Sequence, residues 1–131
     1  MAKGGEMILD TCALLWLASG NKKLSSSALK QIAESPAVYV SAISGFEIAV
    51  KVSRGRLTLP LPSQEWFEKI ADHHGISVIP LGLDVCIAAA QLPRIHDDPC
   101  DRFIIATALL NSLTVLTADE QFEKYGVKVL C

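Results

Sequence analysis

Two kinds of hydrophobic pattern alternate along this chain. Short, nearly unbroken apolar runs occur at EMILD (6–10), AVYVS (37–41), ISVIPL (76–81), TVLT (114–117) and VKVL (127–130). Their length and composition predict buried strands. Between them lie longer stretches whose apolar residues recur every three or four positions, the period of a helix. TCALLWLAS (11–19) is one, stopped by Gly20 and Asn21. SSSALKQIAES (25–35) is a second, capped by serine and ended before Pro36. SGFEIAVKVSRGRL (44–57) is a third, breaking near Gly55. LPLPSQEWFEKIADHHG (59–75) holds a proline-rich bend and an amphipathic helix, and LDVCIAAAQLP (83–93) a short helix. HDDPCDRFIIATALL (96–110) carries the clearest start signal, with Asp98 as N-cap, Pro99 at the first helical position and Asp101 in the first turn. ADEQFEKYG (118–126) is a last short helix.

Strands that alternate with helices predict an α/β fold: a parallel sheet covered on both faces. In such sheets functional groups gather beyond the carboxyl ends of the strands. Asp10 ends the first strand, and Asp119 lies just past the fourth. Glu47 shares a helix face with Ile43, Val50 and, one step sideways, Phe46. A carboxylate on that apolar stripe is either buried at a cost or faces a polar cavity. Asp101 completes a set of four.

Each acid has an ordinary structural explanation. Asp10, Asp98 and Asp119 can cap the helices that follow them, and Glu47 can pair with Lys51 one turn later. Capping at the sixth helix needs one carboxylate, however, and that turn has more. If all four acids meet at one edge of the sheet, they repel one another and raise one another's pKa. A divalent cation relieves that repulsion. Oxygen donors without Cys or His partners suit a hard ion, Mg²⁺ or Mn²⁺, and such an ion can serve phosphodiester hydrolysis.

Composition narrows this picture. The 131 residues predict one domain spanning 1–131, half of them hydrophobic, with a net charge of -2. There is no broad basic surface, so attraction for nucleic acid has to be local or metal-assisted. The cysteines Cys12, Cys86, Cys100 and Cys131 form no C-x-x-C pair and sit beside apolar residues, which predicts buried free thiols in a reducing compartment. MAKGGEMILD lacks the apolar core of a signal peptide, and no run spans a bilayer. The expectation is a cytoplasmic protein without membrane attachment, with residues 1–5 as a flexible N-terminal extension.

The segments MILDTCALLWLAS, VSAISGFEIAVKVSRGRL, LPRIHDDPCDRFIIATAL and LTADEQFEKYGVKVL, in this order, resemble a PIN domain. More closely, they resemble the VapC-type toxin ribonucleases of bacterial toxin–antitoxin pairs. The resemblance covers about Glu6 to Leu130, and HDDPCDR is its most specific motif. It implies a three-layer α/β/α sandwich with a central parallel sheet of about five strands. It implies a Mg²⁺- or Mn²⁺-dependent endoribonuclease whose catalytic and metal-binding acids are Asp10, Glu47, Asp101 and Asp119. Asp10 and Asp101 match the most direct metal contacts, while Glu47 and Asp119 complete the pocket. Thr11, Ser44 and Thr117 match hydroxyl positions beside the acids, and Asp98 and Arg102 flank them. The implied partners are RNA, a VapB-type antitoxin and a second copy of the chain. Cys12 stands where such sequences often have histidine, and Cys100 where they often have phenylalanine.

Lys51, Arg54 and Arg56 cluster at one helix end and are candidates for guiding an RNA backbone, as are Arg94, His96 and Arg102. Dipole pairing explains such cations equally well. His96 reads better as a hydrogen-bonding loop residue than as a proton shuttle. Trp16 reads as core, whereas Trp66 and Phe67 fit either a core or a partner surface. Two other functions compete. A flavodoxin-like phosphoacceptor domain would need an acidic pair after the first strand, where ILDT supplies one acid. A non-catalytic interaction module would keep the fold but not need four intact acids.

Overall fold

A computed structural model describes residues 5–130; residues 1–4, most of the expected extension, and Cys131 lie outside the described range. The strands are β1 (Met7–Leu9), β2 (Val38–Ser41), β3 (Ile76–Ile79), β4 (Thr114–Leu116) and β5 (Val129–Leu130). The helices are α1 (Thr11–Ser19), α2 (Ser26–Glu34), α3 (Ala42–Ser53), α4 (Ser63–His74), α5 (Leu83–Gln91) and α6 (Pro99–Asn111). The strands form one parallel sheet in the order β3-β2-β1-β4-β5. The α/β/α class with a five-stranded central sheet is therefore as expected. A flavodoxin-like sheet would run 2-1-3-4-5, so the phosphoacceptor reading loses its scaffold.

Strand side chains alternate between two cores. Met7, Leu9, Val38, Val40 and Leu116 pack with Ala13, Leu14, Ala28 and Trp66 of α1, α2 and α4. Ile8 and Val115 face the other way, onto Ile104 and Ile105 of α6 and onto Phe122. α3 belongs to both layers, since Ile48 joins the first core and Ile43 the second. It thereby crosses the end of the sheet instead of lying on one face.

Several element boundaries differ from the sequence expectation for local reasons. β3 stops at Ile79, before Pro80, which has no N–H to extend a ladder. α3 begins at Ala42, two residues early, because Ser41 ends β2 and at once caps the helix, accepting the Ile43 N–H at 3.1 Å. ADEQFEKYG winds as a 3-10 helix over Glu120–Tyr125. Trp66 is core, whereas Trp16 is only partly buried against it. The expectation of buried thiols fails for Cys12, which is exposed, while Cys86 and Cys100 are half-buried. Among the described residues, no helix is long and apolar enough to cross a membrane.

Candidate active site

The carboxyl ends of β1 and β4 lie side by side, Leu9 registering with Leu116. The chain leaves both strands through an aspartate, and the two aspartates are tied together through Thr117. Asp10 is 6 % exposed and caps α1, its Oδ1 accepting the Ala13 N–H at 2.8 Å. Its Oδ2 accepts the Thr117 hydroxyl at 2.5 Å. The same Thr117 oxygen accepts the Asp119 N–H at 3.0 Å. Asp119 in turn caps the 3-10 helix through the Gln121 N–H at 2.9 Å. Capping and clustering are thus not alternatives, because one carboxylate does both.

α6 brings the next acid. Asp98 caps it, accepting the Cys100 N–H at 2.9 Å, and Pro99 takes the first position. Asp101 follows in the first turn, with its Oδ2 3.0 Å from His96 Nε2. The same nitrogen lies 2.9 Å from Asp119 Oδ2. His96 is therefore the link between two acids. The structure agrees with a hydrogen-bonding loop residue and adds its partners, the acids of the pocket.

Glu47 comes from α3. Its Oε2 sits 3.9 Å from Lys51 Nζ, a loose pair. Its Oε1 is buried and has no hydrogen-bond partner among the described residues. The apolar stripe that pointed to Glu47 holds only in part, since Ile43 is buried but Phe46 is 61 % exposed. Thr11 and Ser44, both buried, join α1 to α3 through a 2.8 Å hydroxyl contact beside these acids. Arg102 turns away from the acids, donating to the carbonyls of Ala89, Leu92, Pro93 and His96. Arg54 and Arg56 lie exposed beyond the end of α3.

The electrostatics show that the acids feel one another. Burial raises the Asp10 carboxyl above its ordinary range; bonds from Thr117 and Ala13 oppose this, and the charges of Glu47 and Asp119 add to it. Asp101 is pushed up to about 7, first by burial, then by Asp98, with His96 opposing and Glu47 and Asp10 reinforcing. Such a cluster stabilises a cation placed among its oxygens. The oxygen-rich donor set suits a hard divalent ion, and the unpartnered Glu47 Oε1 is an acceptor in want of a positive partner. The residues present therefore fit Mg²⁺ or Mn²⁺.

The sequence matches the PIN domain profile over residues 7–128, and the chain belongs to that family. It is 28 % identical over 120 residues to ribonuclease VapC22 of Mycobacterium tuberculosis, covering 91 % of each chain. Its fold is similar to that of VapBC2 from Rickettsia felis bound to a promoter DNA fragment, with a TM-score of 0.73 at 14 % identity over 95 % of this chain and 97 % of that one. A toxin–antitoxin complex from Klebsiella pneumoniae gives a TM-score of 0.67 at 21 % identity, over 95 % and 96 % of the two chains.

Proposed function

We propose that this chain is a Mg²⁺- or Mn²⁺-dependent endoribonuclease that hydrolyses RNA phosphodiester bonds as the toxin of a toxin–antitoxin pair. One observation carries the reading: four carboxylates, carried by the ends of β1 and β4 and by α3 and α6, lie near enough to act on one another's ionisation, and one of them has a buried oxygen without a partner among the described residues. The similarity to a ribonuclease and to toxin–antitoxin structures supports it. When bound, the ion would supply Lewis-acid polarisation of the phosphate and a more acidic water. Asp10 and Asp101 would hold it, with Glu47 and Asp119 completing the cage. Thr117 fixes the orientation of Asp10, and the Thr11–Ser44 contact fixes the approach of α3. Lys51 on α3 and the exposed Arg54 and Arg56 beyond its end would meet the RNA backbone. The remaining parts of the proposal are one domain over 1–131, a homodimer, a VapB-type antitoxin and a cytoplasmic setting.

The test is cleavage of a mixed RNA pool by the purified chain with Mg²⁺, with EDTA and Asp101→Asn as controls. Cleavage lost in both controls is expected. Persistence in both would reject the metal–carboxylate mechanism, and a silent wild type freed of antitoxin would favour a non-catalytic interaction module. Charge reversal at Arg54 and Arg56 should weaken RNA binding and flatten its salt dependence.

A further inference from the structure

The segment between α5 and α6 is exposed at Pro93, Arg94 and Ile95, yet it delivers His96 to a defined place. Two side chains from elsewhere fix its course. The Tyr125 hydroxyl, at the end of the 3-10 helix, accepts the N–H of Ile95 at 3.1 Å and that of His96 at 2.7 Å. It donates to the Pro93 carbonyl at 2.8 Å. Arg102, on α6, donates to the same carbonyl at 2.9 Å and to that of His96 at 3.2 Å. Its other nitrogen binds the carbonyls of Ala89 at 2.9 Å and Leu92 at 2.7 Å, which closes the end of α5. Both ends of the segment are thus gripped.

The imidazole has two further constraints. Its ring stands nearly perpendicular to that of Phe122, which is fully buried, with ring centroids 6.1 Å apart. Its Nδ1 accepts the Asp98 N–H at 3.2 Å. A nitrogen that accepts carries no hydrogen, so the hydrogen of the ring is on Nε2. That hydrogen is donated to Asp119 Oδ2 at 2.9 Å, while Asp101 Oδ2 lies 3.0 Å from the same nitrogen as a close neighbour. The ligand atoms of His96, Asp101 and Asp119 all lie within 4.8 Å of one another, close enough to share an ion. A metal ligand, however, needs a bare Nε2. Baring it moves the hydrogen to Nδ1, against the Asp98 N–H.

We infer that Tyr125, with Arg102, is a positioning residue that aims the Nε2–H of His96 at Asp119, beside Asp101, and that His96 serves the acidic pocket as a hydrogen-bond donor and not as a metal ligand. The inference rests on the proposed ion site for its purpose but not for its geometry. This donor steadies Asp119 next to Asp101 before any ion arrives. It also leaves the ion an all-oxygen cage, which favours Mg²⁺ or Mn²⁺ over zinc.

The experiment has two arms. Long-range ¹⁵N–¹H NMR of the metal-free, ¹⁵N-histidine-labelled protein reads the tautomer, with His96 assigned by its loss in His96→Gln. The wild type is expected to show Nε2–H, and Tyr125→Phe a shift towards a tautomer mixture with the fold intact by circular dichroism. Arg102→Lys should move the signals in the same direction. A wild-type Nδ1–H tautomer overturns the inference, as does an unmoved His96 signature in Tyr125→Phe with only a lower melting temperature. In the second arm, Mn²⁺ and Zn²⁺ are titrated calorimetrically. His96→Gln, which keeps a donor, should hold Mn²⁺ affinity within about threefold. A metal ligand needs a bare Nε2, so replacement of the wild-type Nε2–H signature by Nδ1–H in saturating Mg²⁺ would make His96 a ligand and overturn the inference, whatever the size of the loss in His96→Gln. A wild type that binds no Mn²⁺ would instead reject the ion site, while the NMR arm still decides the positioning role.

Discussion

The acidic pocket has two walls built on opposite principles. On the sheet wall, Asp10, Thr117 and Asp119 form a chain in which each Asp10 oxygen accepts a short hydrogen bond and each link is made to a strand end or a helix cap. On the helix wall, Glu47 holds Lys51 loosely at 3.9 Å and leaves its other oxygen buried without a partner. The first wall is preorganised; the second keeps acceptor capacity in reserve. A site that binds a cation needs both. Rigid oxygens fix where the charge goes, and an unsatisfied oxygen supplies part of the driving force that solvent would otherwise remove. Stability and function therefore pull apart more strongly on the helix wall than on the sheet wall.

The contrast can be broken most severely at Asp10. Asp10→Asn keeps the shape and removes one charge, and the proposed cleavage should fall by about a hundredfold or more, the scale of losing one charge-stabilising group. A single-turnover RNA assay beside a circular-dichroism melt checks it. Next comes Thr117→Val, which strips a partner from both Asp10 and Asp119. Denaturant unfolding should show a loss of about 1–3 kcal/mol, the cost of leaving buried polar groups unpaired. An unchanged midpoint would mean that the sheet wall is not held by this hydroxyl.

A smaller effect is expected from pH. Asp101 ionises near 3.8 when unfolded but near 7 when folded. The folded protein therefore binds this proton more tightly, and its stability falls as pH rises from about 4 to about 7, levelling off above. Melting temperatures of the metal-free chain should drop over that window, and Asp101→Asn should flatten the drop. The smallest change is expected at Glu47→Gln. Relieving a buried, unpartnered carboxylate oxygen should raise the melting temperature by about 1–3 °C, in contrast to the loss on the sheet wall.

Much of this architecture is legible in the sequence because chain turns in parallel α/β folds carry polar caps. Asp10, Asp98 and Asp119 each stand where an apolar run ends or a helical period begins, and the structure finds all three as N-caps. Asp101 follows from the spacing within one turn. What stayed hidden involves main-chain acceptors and distant partners. Arg102 stands beside acids in the sequence, but its guanidinium is taken up by carbonyls, which a list of side chains does not display. His96 meets Asp119 and Tyr125 across 23 and 29 positions, so no local pattern announces it. Phe46 strengthened the stripe that picked out Glu47, yet it faces outward. The periodicity was informative about the helix and misleading about one of its sides.

The bond from Thr117 to Asp10 spans 107 positions, and the Thr11–Ser44 contact beside it spans 33. Contacts of such range form only after much of the chain has already collapsed. β1 is central and is made early, but β4, which brings Thr117 and Asp119 to it, comes near the end of the strand sequence. A nascent or partly folded chain thus carries its acids as scattered, ordinary carboxylates. The pocket comes into being only with the completed tertiary structure, so a chain still in the course of folding is chemically unarmed.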